Sequence, residues 1–268
     1  ALPQRQLLVM TSANPGGEPL VIDNAEAVTR LGAAAGLADA FVMHDRDILV
    51  RCDDSVVRTP SGGSPIIDRR APVFVRRARG YTPAPIELPC AGPPVLALGA
   101  YLKNTACLTR GTQAFLSQHI GDLDNAASCE ALEGAVAHLQ AVLELRPQAV
   151  AHDLHPDFFS TRLAQRVAAE LGVPAIGVQH HHAHIAAICA EHGVVAPVLG
   201  LALDGVGHGE GDAFDTGSVW GGELLRVDAA GSAGLPRERR AARSPRALPD
   251  SRPHRWPLKC SRASCVRR

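Results

Sequence analysis

Residues 175–203 read AIGVQHHHAHIAAICAEHGVVAPVLGLAL, and this stretch decides the fold. Its hydrophobic pattern predicts a strand at Ala175–Val178, a helix at Ala183–His192 and a strand at Val198–Leu203. The residues before it predict the same alternation, with a strand at Ala149–His152 and helices at Ser128–Leu145 and Ser160–Leu171. Strands that alternate with helices favour an α/β fold with a partly parallel sheet.

The histidine run at residues 180–184 is the strongest chemical signal in the chain. If the run is helical, His180 and His184 are i,i+4 neighbours on one face, and two imidazoles at that spacing can chelate one metal ion. Asp204 follows the next predicted strand, where it can add a carboxylate to the pair. The alternative interpretation is a solvated helix start that binds metal adventitiously, and spacing alone does not decide between the two.

Composition bounds the class of protein. The chain is 46% hydrophobic but only 4% aromatic, which predicts a core of Ala, Val and Leu. Net charge is zero overall, yet Gly231–Arg268 carries a net +9, so the remainder carries −9 and does not favour binding to nucleic acid. Seven scattered cysteines without a C-x-x-C pair suit a reducing compartment. Without a signal peptide or an apolar stretch of spanning length, we expect a cytoplasmic protein with no membrane partner.

Both ends of the chain are unusual. A buried strand is predicted at Leu7–Met10, and a strand that early needs partners that can lie upstream. The tail from Gly231 shows neither helical nor strand periodicity and is expected to be disordered. Because the composition changes abruptly after Leu224–Val227, we favour a shifted reading frame over a functional basic arm.

The rest of the chain predicts a second, N-terminal unit. Five prolines in Thr82–Pro94 predict a linker, placed at residues 89–94 between domains at 1–88 and 95–230. The other predicted elements are a helix at Asn24–Gly36, a hairpin of Ala106–Thr109 with Ala114–Ser117, and strands at Phe41–His44, Ile48–Cys52, 53–58 and Phe74–Ala78.

Several polar motifs follow predicted strands, and each is weak alone. The loop Thr11-Ser12-Ala13-Asn14 and the turn Lys103-Asn104-Thr105 can hold phosphate oxygens, although both also simply make turns. The Lys103-Asn104-Thr105 turn is not a Walker A loop, because the glycine spacing of that motif is missing. The arginines at 76, 77 and 79 can clamp an anion or form a solvated basic edge. Asp153 and His155 follow the strand at Ala149–His152, where α/β folds collect ligand groups.

Taken in order, these motifs resemble the HypF family, the carbamoyltransferases of NiFe-hydrogenase maturation. The resembling stretches are residues 11–14, 44–46, 51–58, 76–81, 102–105, 116–123, 153–156, 178–185, 204–205 and 220–223. They span about residues 5–227 of the chain.

The resemblance implies two modules. Residues 1–88 look like the C-terminal part of a YrdC-like α/β domain, which makes carbamoyl-adenylate from carbamoyl phosphate and ATP with Mg²⁺. Residues 95–230 look like one actin/Hsp70-like (RNase H-like) lobe, the first lobe of a TsaD-like domain. That domain binds a divalent metal, Fe or Zn, and passes the carbamoyl group to the C-terminal cysteine of the partner HypE, on the way to a cyanide ligand.

The same resemblance assigns residues to roles. It implies metal ligation by His180, His184 and Asp204, with His181, His182, Asp153 and His155 placed behind the ligands or facing substrate. It also matches Ser12 and Asn14 to the nucleotide loop of the YrdC-like site. Together with the polar motifs described above, this gives a predicted nucleotide-binding set of Thr11, Ser12, Asn14, Arg79, Lys103, Asn104 and Thr105.

Departures from the family pattern bound the expected activity. The acylphosphatase domain, the zinc fingers and the second lobe, with its further Asp ligand, have no counterpart in this sequence. We therefore expect little transferase activity from this chain alone. The alternatives are a relative of O-carbamoyltransferases or of tRNA threonylcarbamoyladenosine transferases, or a non-catalytic metal-binding fragment.

Overall fold

The computed structural model describes residues 7, 9–58, 72–205, 207–208, 219–227 and 239–243, the last range and 219–220 by their backbone alone. The helices are α1 (Asn24–Leu31), α2 (Ala126–Leu143), α3 (Phe159–Leu171) and α4 (His180–Glu191). The strands are β1 (Val56–Arg58), β2 (Val73–Arg76), β3 (Ile86–Gly92), β4 (Val95–Ala97), β5 (Cys107–Leu116), β6 (Ala149–Asp153), β7 (Ala175–Val178), β8 (Val198–Ala202), β9 (Gly207–His208), β10 (Val219–Trp220), β11 (Glu223–Val227) and β12 (Arg239–Arg243).

A five-stranded mixed sheet forms the centre of the α/β fold, with strand order β3-β5-β4-β6-β7. Strands β4, β6 and β7 are parallel to one another, whereas β3 and β4 both run antiparallel to β5. Leu96, Leu108 and Val150 from the sheet pack with Leu132 of α2 and Leu163 of α3 in one buried core. This core fixes β6 and the start of α3, which lie beside the candidate site.

A smaller antiparallel sheet, in the order β12-β11-β8, carries helix α4. Ile185 of α4 packs against Ala202, Leu225 and Val227 in a second apolar cluster. Gly200 makes this approach possible, because a Cβ atom there would lie 2.6 Å from the Ile185 side chain. The smaller sheet therefore fixes the distance between α4 and the end of β8.

The N-terminal segment is built from α1 and the antiparallel pair β1-β2. Helix α1 begins where the Asp23 side chain accepts a hydrogen bond from the Glu26 backbone N–H at 2.8 Å. It ends at Leu31, earlier than the predicted Gly36, because the chain leaves the helical conformation at Gly32. The helix therefore spans little more than two turns.

The prediction of an α/β fold with a partly parallel sheet is confirmed, but the predicted hairpin of Ala106–Thr109 and Ala114–Ser117 is wrong. Residues 107–116 form the single strand β5, whose two halves pair with β4 and β3. Gly111, at φ +60°, lies beside an irregularity in the β3–β5 register instead of in a turn. Strand β3 also occupies most of the proline-rich stretch predicted as a linker, while the domain boundaries stay a prediction.

Other strand predictions in the N-terminal segment are wrong as well. Leu7, Val9 and Met10 are exposed and lie outside any strand, and so do 41–44 and 48–52. In the tail, 239–243 pair with β11 as strand β12, and its other residues lie outside the described ones. None of the helices described is long and apolar enough to cross a membrane.

Candidate metal centre

Helix α4 begins at His180 and includes all four histidines of the run, three residues earlier than predicted. Gln179 caps it, since its side-chain Oε1 accepts a hydrogen bond from the His182 backbone N–H at 2.7 Å. The early start matters because it places His180 and His184 one turn apart on the same face.

His180, His184 and Asp204, here called the candidate metal set, converge on one point. The Asp204 Oδ2 atom lies 3.0 Å from His180 Nε2 and 3.5 Å from His184 Nε2, and the two Nε2 atoms are 3.2 Å apart. One donor atom from each residue lies within 4.8 Å of the others. Two imidazoles and a carboxylate so arranged fit a divalent transition-metal ion.

Asp204 reaches this point from the turn after β8. Its Oδ1 accepts a hydrogen bond from the Gly205 backbone N–H at 2.6 Å, which leaves Oδ2 facing the two imidazoles. The His184 side chain is 57% exposed, whereas that of His180 is 21% exposed. Among the described residues, the candidate metal set is therefore more exposed on the His184 side than on the His180 side.

Asp153, at the end of β6, contacts the ring nitrogen of His180 that faces away from the candidate metal set. Its Oδ2 lies 2.6 Å from His180 Nδ1, and its Oδ1 accepts from the His155 backbone N–H at 2.8 Å. A carboxylate on the far nitrogen of an imidazole ligand fixes the ring's tautomer and orientation. This contact leaves Nε2 of His180 directed at Asp204 and His184.

The protonation states of Asp153, His180 and His184 depend on one another. Burial alone would raise the pKa of Asp153, but the hydrogen bonds from His180 and the His155 backbone outweigh it and lower that pKa. The bond to Asp153 is the main cause that raises the pKa of His180, with burial opposing it. Burial, then the nearby His180, lowers the pKa of His184. The two imidazoles of the candidate metal set thus differ in proton affinity.

His181 points away from the candidate metal set into the protein. Its ring is fully buried, and Nδ1 lies 2.5 Å from Glu223 Oε2 at the start of β11. Gln179 Nε2 donates to the same oxygen at 3.3 Å. In the sequence, Glu223 is only the last residue of the glycine-containing stretch 220–223. No sequence signal relates it to the histidine run, so the sequence does not predict its contact with His181.

The other histidines differ in their contacts. The ring of His155 stacks on Phe158 with centroids 4.2 Å apart and lies 5.3 Å from the ring of His208. His182 donates a hydrogen bond to Gln179 from its backbone N–H. Among the described residues, the structure thus brings Asp153 into contact with the candidate metal set more directly than His155 or His182.

The turn Lys103-Asn104-Thr105 lies between β4 and β5. Asn104 is buried, and its Nδ2 donates to the carbonyls of Leu98 and Ala100 at 2.8 Å each. Both amide hydrogens are therefore used in shaping the turn, which does not favour their donation to a nucleotide. The Lys103 side chain is exposed.

The nucleotide candidates of the N-terminal segment lie in loops. Thr11 and Ser12 are exposed, whereas Asn14 donates from Nδ2 to the Glu18 carbonyl at 2.6 Å. Arg79 donates to the Cys52 carbonyl at 2.8 Å and lies 3.7 Å from Asp54. Their roles in nucleotide binding stay predictions.

The arginines beside Arg79 also contact groups of the N-terminal segment. Arg76 pairs with Asp53 at 2.5 Å, and Arg77 lies 5.0 Å from the ring centroid of Phe74.

On β5, burial raises the pKa of the Cys107 thiol to about 11, so this cysteine is not a thiolate at neutral pH.

Comparisons with known proteins agree with this architecture. Residues 91–191 match the family model of the HypF Kae1-like domain, and residues 2–71 match the Sua5/YciO/YrdC model, described as telomere recombination. The carbamoyltransferase HypF2 of Cupriavidus necator is 65% identical over 85% of this chain and 27% of its own length. The carbamoyltransferase HypF of Rhizobium leguminosarum is 50% identical over 89% of this chain and 30% of its own.

Two solved structures are also similar. A full-length HypF in its phosphate- and nucleotide-bound form superposes with a TM-score of 0.71 at 39% identity, covering 86% of this chain and 27% of that one. HypF of T. kodakarensis gives a TM-score of 0.70, also at 39% identity, over 82% of this chain and 26% of that one.

Fold and comparisons together define an α/β protein that joins YrdC-type and Kae1-type segments. Within that class, the chain belongs to the HypF family. It spans less than a third of the length of the two curated relatives named above.

Proposed function

We propose that this chain is the part of a HypF carbamoyltransferase that contains the first metal ligands of the transfer site. In the proposed reaction, carbamoyl-adenylate is made from carbamoyl phosphate and ATP with Mg²⁺. The carbamoyl group then passes to the C-terminal cysteine of HypE in the cytoplasm, for synthesis of a cyanide ligand. The observation that carries the proposal is the convergence of His180, His184 and Asp204, backed by Asp153.

The donor atoms suit the proposed group. His180 and His184 would hold a divalent ion, Fe or Zn, through Nε2, and Asp204 would hold it through Oδ2. Such an ion would offset the charge of the adenylate phosphate and polarise the group being transferred. Asp153 keeps the His180 ring in position, and the more exposed side at His184 leaves room for substrate.

The transfer step itself needs a thiolate. The sulfur of the acceptor attacks the carbamoyl carbon, a C–S bond forms, and the C–O bond to the phosphate of AMP breaks so that AMP leaves. In the proposal the nucleophile belongs to HypE. The raised pKa of Cys107 agrees with this assignment, since a buried neutral thiol is a poor nucleophile.

The proposal is tested by titrating the metal-free chain with Zn²⁺ and Co²⁺. The wild type is expected to bind one ion, and His184→Ala to bind it at least about tenfold more weakly because one of three donors is lost. His192→Ala, at the exposed end of the same helix, is the matched control and should bind as the wild type does. Equal affinity of the His184→Ala chain would remove the proposed ligand set.

Carbamoyl transfer is tested in the full-length natural protein. The His184→Ala substitution should abolish mass-detected carbamoylation of the HypE C-terminal cysteine, while the His192→Ala protein stays active. Undiminished transfer by the His184→Ala protein would contradict the proposal.

A further inference from the structure

The candidate metal set is divided between two elements, the first turns of α4 and the turn after β8. Ile185 packs against its apolar partners on the smaller sheet and so holds the middle of α4, whereas His180 lies at the start of the helix. Apolar packing of this kind leaves some freedom of rotation and sliding, because it is not directional. Asp153 orients the His180 ring itself, so a further directional contact is needed to fix the helical turn that carries both imidazoles.

Glu223 supplies that contact. A single carboxylate oxygen, Oε2, lies 2.5 Å from His181 Nδ1 and 3.3 Å from the Gln179 side-chain nitrogen. Gln179 is the N-cap of α4 and His181 lies in its first turn, so both groups belong to the end of the helix that carries His180. A carboxylate beside a helix N-terminus is also favoured by the helix dipole.

Glu223 is also held in a fixed position relative to β8, the strand that leads to Asp204. Glu223 of β11 pairs with Ala202 of β8, two residues before Asp204. The Glu223 network, defined as Gln179, His181 and Glu223, therefore connects both elements of the candidate metal set. It does so without contacting the set's own donor atoms.

The network also fixes how α4 is rotated about its axis. Successive residues of an α-helix are about 100° apart around the axis. Holding the His181 ring inward against Glu223 thus sets the direction in which His180 projects, and His184 follows one turn later. Gly207 lies directly against the His181 ring, because a Cβ atom there would lie 2.6 Å from His181 Nε2.

We propose that Glu223 is a positioning residue for the metal site, which acts through Gln179 and His181 to aim His180 and His184 at Asp204. The inference rests on the metal site of the proposed function and adds a residue that touches neither ion nor substrate. It depends on a side chain 42 positions from His181 in the sequence, on a different element.

The test compares Co²⁺ affinity in three variants of the chain. Glu223→Ala should bind Co²⁺ about tenfold or more weakly, as removal of groups that orient ligands does elsewhere. Glu223→Gln retains an acceptor oxygen for His181 and should keep most of the affinity. Leu224→Ala is the matched control, since Leu224 neighbours Glu223 on the same strand but lies outside both the network and the apolar cluster that packs on α4.

A second readout does not need the metal. Hydrogen exchange of the His182 and Ala183 amides, whose acceptors are both on Gln179, should become faster in Glu223→Ala than in Leu224→Ala. Both measurements are made well below the unfolding temperature of each variant, which separates positioning from global destabilisation.

The outcomes are distinct. If the wild type binds no Co²⁺, the proposed ligand set fails and this inference fails with it. If the wild type binds Co²⁺ and Glu223→Ala binds it equally well, only the inference is overturned. It is also overturned if Leu224→Ala weakens binding as much as Glu223→Ala, or if the exchange of the two amides is unchanged.

Discussion

The two oxygens of Asp153 have separate partners. Oδ2 accepts from His180 Nδ1, and Oδ1 accepts from the backbone N–H of His155. Both partners are donors, so the side chain must present an acceptor on each side. An amide cannot do this, because one of its two ends is itself a donor.

We therefore expect Asp153→Asn to weaken metal binding by about 10–100-fold, since either His180 or the His155 N–H loses its acceptor. Competition titration with Co²⁺ measures the change. Asp157→Asn is the control, because Asp157 is exposed in the same loop. Unchanged affinity in the Asp153→Asn chain would show that this carboxylate does not orient His180.

At the scale of single residues, local spacing predicted His180 and His184, and the position after an apolar strand predicted Asp204. Glu223 could not be predicted in the same way. Its partners Gln179 and His181 precede it by more than 40 residues, and no periodicity relates them. Contacts of that kind are set by the register of β11 on β8, which only the folded structure supplies.

At the scale of elements, the packing of α4 against β8 depends on the absence of a side chain at Gly200. The position faces Ile185, whose side-chain atoms fill the space that a Cβ atom would need. Close packing of this kind tolerates small changes in volume poorly. The helix and strand that carry the candidate metal set are therefore sensitive to one methyl group.

Gly200→Ala is expected to lower the free energy of unfolding by about 1–3 kcal/mol, the usual cost of overpacking. Urea denaturation measures it. Gly134→Ala on α2 is the matched control, since a Cβ atom there meets nothing within 4 Å, and it should be neutral or stabilising.

A double variant tests the cause of the Gly200→Ala effect. Combining it with Ile185→Ala removes the crowding atoms, so the two changes together should cost less than the sum of the single changes. Additive costs would contradict the steric explanation.

Element prediction succeeded where local signals agree. Strand β7 has the predicted bounds, and α2 begins two residues before the prediction, after Asn125, whose side chain caps it. It failed at β5, where Gly111 looked like the centre of a hairpin turn. Pairing with β3 and β4 keeps the residues on both sides of that glycine in one strand, and such long-range pairing overrides local turn preference.

At the scale of the molecule, the N-terminal segment contacts the α/β unit around the turn between β5 and α2. The Asn125 side chain donates to the Gly17 carbonyl at 3.1 Å. His119 in the same turn is influenced by Arg76 and Asp53 of the N-terminal segment and by Asp122 and Lys103 of its own unit. Its protonation therefore reports on how the two segments fit together.

Burial, with help from Arg76, lowers the pKa of His119 from its usual value of 6.5. As pH falls through about 6.5, the unfolded chain takes up a proton before the folded one does, so His119 lowers the free energy of unfolding until its folded pKa is passed. His119→Gln removes this contribution, and the variant should gain stability relative to the wild type between pH 7.5 and about pH 5.5.

Urea denaturation of both chains across this pH range measures the difference. Between pH 7.5 and 8.5 neither state of His119 takes up a proton, so the difference between the two chains should stay constant there. Parallel stability curves down to pH 5.5 would contradict the lowered pKa.

The donors of the candidate metal set all lie within one continuous stretch, residues 180–204. Closing a short loop costs less chain entropy than closing a long one, so a single helix and strand can gather these donors before distant parts of the chain are in place. An ion bound only by the closed arrangement would raise the free energy of opening α4 from β8. Metal loading would then stabilise the contact between α4 and the smaller sheet locally.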